Sequence, residues 1–246
     1  SSEIAAAPQG AEGVVVARTT DGRVFGLEAD SGKRRWVFQR ALPALTLRYQ
    51  PTVRLIQGGV LIGLPGGKLA FLNLSNGEVG WEATVALPRG STELERVADV
   101  VSVPVVDAER ACAVAFQGRV ACFDLQTGNI AWGRDFSSSV TLAADERALY
   151  VVDEQGAVAA FLKATGASVW RQDKLQERRL SAPAVVGSRI LVADEKGVTY
   201  ALGKEDGALA AQVAGDGSAL TGISVLSERS AVAQTRNGNL IAFATN

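Results

Sequence analysis

The stretch GRVACFDLQTGNIAW at residues 118–132 decides how the chain is read. It opens on Gly118, runs through the apolar VACF, meets a second glycine ten positions on at Gly128, and reaches Trp132 four residues later. Working outward, the same spacing recurs as Gly22, Gly32 and Trp36, as Gly67, Gly77 and Trp81, and as Gly156, Gly166 and Trp170. A fifth copy has Gly197 and Gly207 with Ala211 in the tryptophan position, and a sixth begins at Gly238. All four tryptophans of the chain therefore occupy one position of a repeat whose mean spacing is about 43 residues, the length of a four-stranded propeller blade.

Each repeated residue has a physical reason. Glycine accepts positive φ without a Cβ clash, so Asp21-Gly22, Asn76-Gly77 and Asn237-Gly238 predict two-residue hairpin turns. Between and before the glycines lie apolar segments such as VFGLEA, LAFLNL, VTYALG, LYVVD and ILVAD. Near-continuous apolar runs of this length suit strands buried on both faces, as when one sheet is sandwiched between two others. An indole at a fixed offset in the outer strand reads as a packing anchor rather than a ligand-stacking ring. No segment has the helical period a helical solenoid needs. The expected fold is all-β: a β-propeller of four-stranded antiparallel blades, with residues 1–246 forming one partial propeller domain of about six blades. The sixth copy stops at LIAFATN, before a fourth strand, and the chain has no methionine, so a closing strand is expected upstream of Ser1.

Composition narrows the function. Twenty-five Lys and Arg balance 26 Asp and Glu for a net charge of −1, which offers no field for nucleic acid or an acidic membrane. No apolar run is long enough to span a bilayer as a helix, and the first residues lack the pattern of a signal peptide. The chain contains no histidine, which removes the commonest general base and metal ligand together with every Ser-His-Asp arrangement. LIGLPGGKLA resembles a phosphate loop but has Ile62 and Leu69 where glycine and Ser or Thr are required. The residues thus point to no enzyme, no metal and no cofactor. Asp153-Glu154 and Asp194-Glu195 read as solvated loop charges, and Lys33-Arg34-Arg35 as edge-strand charges that discourage aggregation. With a two-residue loop at Gln117-Gly118, Cys112 faces Phe123 and Cys122 faces Ala113. That register favours two small buried thiols over a disulfide.

Two connections interrupt the regular repeat. In ALPALTLRYQP, Leu45 and Leu47 alternate and would share one face of a strand, beside Arg48; the segment reads as an inner strand or as a protruding apolar spot beside an arginine, the composition of a protein-binding hot spot. LPRGSTELERVAD lengthens the interval between the second and third copies to 51 residues.

At PALTLR (43–48), GSTELERVADV (90–100), PVV (104–106) and DLQTGNIAW (124–132) the chain resembles the BamB lipoproteins of the machinery that inserts β-barrels into the Gram-negative outer membrane. The repeat grammar itself is shared with quinoprotein dehydrogenases; the two connections are more specific. The resemblance implies an eight-bladed ring of which these copies are the last six, and a lipid-anchored precursor at the periplasmic face of the outer membrane. It also implies a scaffold that binds the POTRA domains of BamA through Leu45, Leu47, Arg48 and Asp99, alongside other subunits of the complex and unfolded outer-membrane proteins. Leu45 and Leu47 would bury apolar area while Arg48 and Asp99 fix orientation by charge-assisted bonds. Val101 departs from the pattern, which has a second acidic residue there. The alternatives are a quinoprotein-dehydrogenase-like domain, which would need a calcium site and catalytic acid/base residues, and an adaptor for another envelope protein.

Overall fold

A computed structural model describes residues 2–4, 6–43, 45–47 and 53–245, and these residues form strands and loops without a helix. None of the described elements is a helix long and apolar enough to cross a membrane. The chain divides into two compact units, Ser1–Ser139 and Val140–Asn246.

The first unit holds three antiparallel four-stranded meanders. These are β1 (Gln9–Ala11), β2 (Val14–Arg18), β3 (Val24–Glu28) and β4 (Arg34–Phe38); β5 (Val53–Ile56), β6 (Gly59–Leu64), β7 (Lys68–Asn73) and β8 (Val79–Thr84); and β9 (Val105–Val106), β10 (Arg110–Val114), β11 (Arg119–Asp124) and β12 (Ile130–Asp135). The second unit holds two more: β13 (Ala143–Ala144), β14 (Ala148–Val152), β15 (Val158–Leu162) and β16 (Ser168–Gln172), then β17 (Ala184–Val186), β18 (Arg189–Ala193), β19 (Thr199–Gly203) and β20 (Leu209–Val213). A three-stranded sheet of β21 (Leu220–Ser227), β22 (Ser230–Thr235) and β23 (Leu240–Ala244) follows. The second strands are buried on both faces, β6 and β14 along their whole length, as their unbroken apolar runs require. Val16, Val60, Ile62 and Leu72 share a core between the first two sheets; Leu61, Leu69, Ala113 and Phe123 share one between the second and third.

Three tryptophans bind neighbouring sheets within their own unit. Trp36 Nε1 donates to the Leu74 carbonyl at 2.9 Å, Trp81 Nε1 to Leu125 at 2.9 Å, and Trp170 Nε1 to Lys204 at 2.9 Å. Each acceptor lies three residues before the second glycine of the following copy, and that glycine lies against the same indole. A Cβ on Gly77 would come within 2.6 Å of Trp36, on Gly128 within 2.7 Å of Trp81, and on Gly207 within 2.5 Å of Trp170. These glycines also have φ of +74°, +72° and +68°, so their conformation and their contact both exclude a side chain. A β-bulge precedes every tryptophan: Gly26 pairs Trp36 but Leu27 pairs Arg34, and Cys122 pairs Trp132 but Phe123 pairs Ile130. The extra residue re-aims the outer strand, which at Trp36, Trp81 and Trp170 turns the indole toward the next sheet of the same unit.

Two turn readings need correction. The loops at the first glycines have three residues rather than two, as in Thr19 N–H donating to Arg23 O at 2.9 Å and Asp153 N–H to Ala157 O at 2.9 Å. Those at the second glycines have four, closed at Gly77 by its N–H donating to Asn73 O at 2.8 Å and by Asn73 N–H donating to Glu78 O at 2.8 Å. At the β10–β11 loop Ala115 N–H donates to Arg119 O at 3.1 Å, and Gln117 rather than Gly118 takes the left-handed conformation, with φ of +48°. One extra loop residue shifts the register by one and exchanges the faces of the strand. Cys112 therefore stands opposite Cys122, with Cα atoms 4.0 Å apart and the sulfurs bonded, in place of the two thiols expected. Both halves of the disulfide are buried.

Truncating Trp81 to Ala is expected to lower stability by about 3–5 kcal/mol, and Gly128→Ala to destabilise through the same contact, as read from urea melts. Replacing both Cys112 and Cys122 by Ala should cost about 2–3 kcal/mol, the worth of closing so short a loop in the unfolded chain. Equal denaturation midpoints with and without reductant under unfolding conditions would contradict the bond.

Candidate protein-binding site

Of the predicted site residues, Leu45, Leu47 and Asp99 lie in the first unit, on connections at the end of the sheets where β6 turns into β7. Residues 39–43 and 45–47 form no strand, so the inner-strand reading of Leu45 and Leu47 does not hold. Pro43 has no N–H for a ladder, and the Leu47 N–H is directed elsewhere, to Oδ2 of Asp99 at 2.7 Å. Leu45 is 46% exposed while Leu47 is half-buried, so the two do not present equally. Arg48 lies outside the described residues.

Asp99 departs most from expectation. It is 1% exposed, and Oδ1 accepts the Gly66 N–H at 3.1 Å while Oδ2 accepts that of Leu47. Its backbone carbonyl accepts the Phe116 N–H at 2.9 Å. A carboxylate so enclosed is tolerated because backbone donors meet both of its oxygens. Instead of projecting toward a partner, it joins the Leu47 segment, the β6–β7 loop and the β10–β11 loop. Val101, where the resemblance leads one to expect a second acid, is buried.

The long connection between β8 and β9 has its own internal order, part of which is visible in the sequence as Thr-x-x-Glu. Glu95 Oε2 accepts the N–H groups of Ser91 at 2.7 Å and Thr92 at 3.1 Å, while Thr92 Oγ1 accepts that of Glu95 at 3.2 Å, the reciprocal pattern of a capping box. These bonds hold the Glu95 carboxyl below its ordinary range. The Gln117 side chain, with its amide nitrogen turned inward, donates to Glu95 O at 2.8 Å and Val97 O at 3.0 Å, and its backbone N–H donates to Ser137 Oγ at 2.8 Å. Gln117 had no signal as a site residue. The turn so held leaves Leu94 70% exposed, and Leu87, next to the Ala86 whose N–H donates to Gly67 O at 3.1 Å, is 62% exposed.

In the second unit Asp153 and Asp194, expected in solvent, are structural, while Glu195 is exposed as expected. Asp194 is buried; Oδ1 accepts the N–H groups of Lys196 and Val198, and Oδ2 accepts the Tyr200 hydroxyl at 2.9 Å and pairs with Arg178 at 3.2 Å. Asp153 likewise caps its loop through Gln155 and Ala157 N–H groups and pairs with Arg171 at 3.0 Å. A cleft lined by Asp145, Arg147, Tyr150, Lys204 and Glu205 is similarly spoken for: Asp145 takes Tyr150 OH at 3.0 Å and Lys204 Nζ at 3.1 Å, and Arg147 pairs with Glu205 at 2.8 Å. Burial first, and the Asp145 carboxylate second, push the Tyr150 hydroxyl well above its usual range, away from any acid/base role near neutrality. Arg34 and Arg35 are exposed on β4, as edge charges should be.

A family profile described as "Outer membrane protein assembly factor BamB" matches residues 1–172 and 143–246. The chain is 40% identical over 247 residues to the outer membrane protein assembly factor BamB of Bordetella pertussis, covering 100% of this chain and 64% of that protein. It thus spans just under two thirds of that curated relative. The crystal structure of BamB from Moraxella catarrhalis superposes with a TM-score of 0.88 at 28% identity, over 97% of this chain and 71% of that one. The quinohemoprotein alcohol dehydrogenase of Comamonas testosteroni shares the fold alone, with a TM-score of 0.69 at 14% identity, covering 99% of this chain and 46% of that one. With a profile match along its whole length and blades of the β-propeller type, the chain belongs to the BamB family of outer membrane protein assembly factors.

Proposed function

We propose that this chain is the propeller body of a non-enzymatic scaffold subunit of the β-barrel assembly complex, holding the POTRA domains of BamA at the periplasmic face of the outer membrane. The observation that carries the reading is the meeting of PALTLR and GSTELERVADV: Leu47 and Asp99, 52 positions apart, join the two segments, with leucines exposed on both. Leu45 and Leu47 supply apolar area, the exposed Leu87 and Leu94 of the β8–β9 connection offer more, and Arg48 supplies a charged anchor of the residue type enriched at binding hot spots. In this reading residues 1–246 form one domain and belong to an eight-bladed ring. A lipid on an upstream cysteine attaches the whole protein to the membrane, and the scaffold assists delivery of unfolded outer-membrane proteins to BamA. The Cys112–Cys122 bond supports an oxidising compartment such as the periplasm. The shared fold with a quinohemoprotein dehydrogenase favours, more weakly, a quinone-binding reading.

Replacing Leu47 and Arg48 together by Ala is expected to weaken binding to purified POTRA domains by at least about thirtyfold with an unchanged melting temperature; retained affinity would sink the proposed site. Leu94→Asp should weaken the same binding by about tenfold, the loss of one peripheral apolar contact plus burial of a charge. Added pyrroloquinoline quinone should leave the absorbance spectrum unchanged, and a stoichiometric spectral shift would favour the dehydrogenase-like reading.

A further inference from the structure

We propose that Asp99 is a positioning residue, one that never touches the partner and acts by holding the Leu45–Leu47 segment in its binding conformation. The inference rests on the docking reading above and assigns Asp99 a role different from direct charge pairing. Three observations carry it. The carboxylate is 1% exposed, so a partner arriving at the surface has no access to it. Both oxygens are engaged, Oδ2 with Leu47 N–H at 2.7 Å and Oδ1 with Gly66 N–H at 3.1 Å. Among the described residues, the bond to Leu47 is the one backbone hydrogen bond made by segment 41–43 and 45–47, which has no strand to pair with.

The chemistry asks for a carboxylate. Two N–H groups converge from a strandless segment and from a loop glycine with φ of +73°, and neither can serve as an acceptor. An ionised Asp presents acceptors to both, whereas Asn presents one oxygen and turns an NH2 group toward the other donor. The Asp99 carbonyl, by accepting the Phe116 N–H at 2.9 Å, ties the same residue to the β10–β11 loop. A single buried side chain therefore fixes the backbone two residues from the exposed Leu45. Without it that segment must be ordered when the partner binds, which weakens association without removing any contact.

The experiment combines amide hydrogen exchange with a double-mutant cycle on the full chain. In the wild type the Leu47 amide should be protected although it lies in no strand; free exchange there would overturn the proposal even if every Asp99 variant failed to fold. Asp99→Asn should speed exchange at Leu47 on the order of tenfold and weaken binding to POTRA domains. In a background of Leu45→Ala with Leu47→Ala, the same Asp99→Asn change should cost no further affinity, because a residue acting only through those leucines has nothing left to position. Additive losses would overturn the proposal and make Asp99 a direct contact. Failure of the wild type to bind POTRA domains while Leu47 stays protected would instead sink the docking reading and leave the Asp99 tether standing.

Discussion

The structure depends on an indole of one sheet lodged over a glycine of the next. The hydrogen bond from the ring N–H of Trp36, Trp81 or Trp170 to a neighbouring carbonyl is worth only about 1 kcal/mol net, whereas truncating a buried tryptophan costs about 3–5 kcal/mol. The ring's burial therefore supplies the energy, and the bond supplies the orientation. Because the acceptor and the glycine lie three residues apart in one four-residue loop, a single loop geometry satisfies both demands. The left-handed conformation brings the backbone under the ring, and the absent Cβ leaves room for it.

The fifth copy separates the backbone's share from the side chain's. Ala211 pairs Ala201, and the bulge still follows at Leu202, paired with Leu209. The bulge thus belongs to the repeat's backbone and survives without an indole to aim. What does not survive is cover: every residue of β20 is exposed, while β4, β8, β12 and β16 each bury their tryptophan. Strand geometry and sheet-to-sheet cohesion are therefore separable properties of the same five residues.

The parts of this fold that were legible in the sequence are those that impose a residue type at a fixed spacing. Gly77 and Trp81 could be read because few residues meet a positive φ under a ring, or fill the space above it. Loop length was not legible, since two-, three- and four-residue hairpin loops all favour glycine near their ends. That single ambiguity reversed the faces of β10 and β11 and hid the Cys112–Cys122 bond. At the site, the motif residues could be recognised but not placed. The partner of Leu47 is 52 positions away, and a charged residue is presumed to face solvent unless paired. The neighbours of Asp99 in VADV, all apolar and all buried, were the only local trace that the carboxylate turns inward.

The loops at this end of the sheets share a further property: acceptors on side chains hold them where no ladder can. Asp99 holds the Leu47 and Gly66 backbones, Glu95 those of Ser91 and Thr92, and Ser137 that of Gln117. Each bond replaces a strand pairing that the irregular connection cannot make; at Asp99 it does so with a carboxylate withdrawn from water, whereas Glu95 makes its bonds while exposed. A surface whose segments are already ordered loses less conformational entropy on binding than one that must be assembled on contact. In the proposed docking reading, leucines at the tips of loops make a usable face only under that condition, because otherwise they would collapse onto the nearest apolar surface of their own sheet. The side-chain acceptors, buried at Asp99 and exposed at Glu95, and the exposed leucines are thus two halves of one arrangement, the first setting where the second can stand.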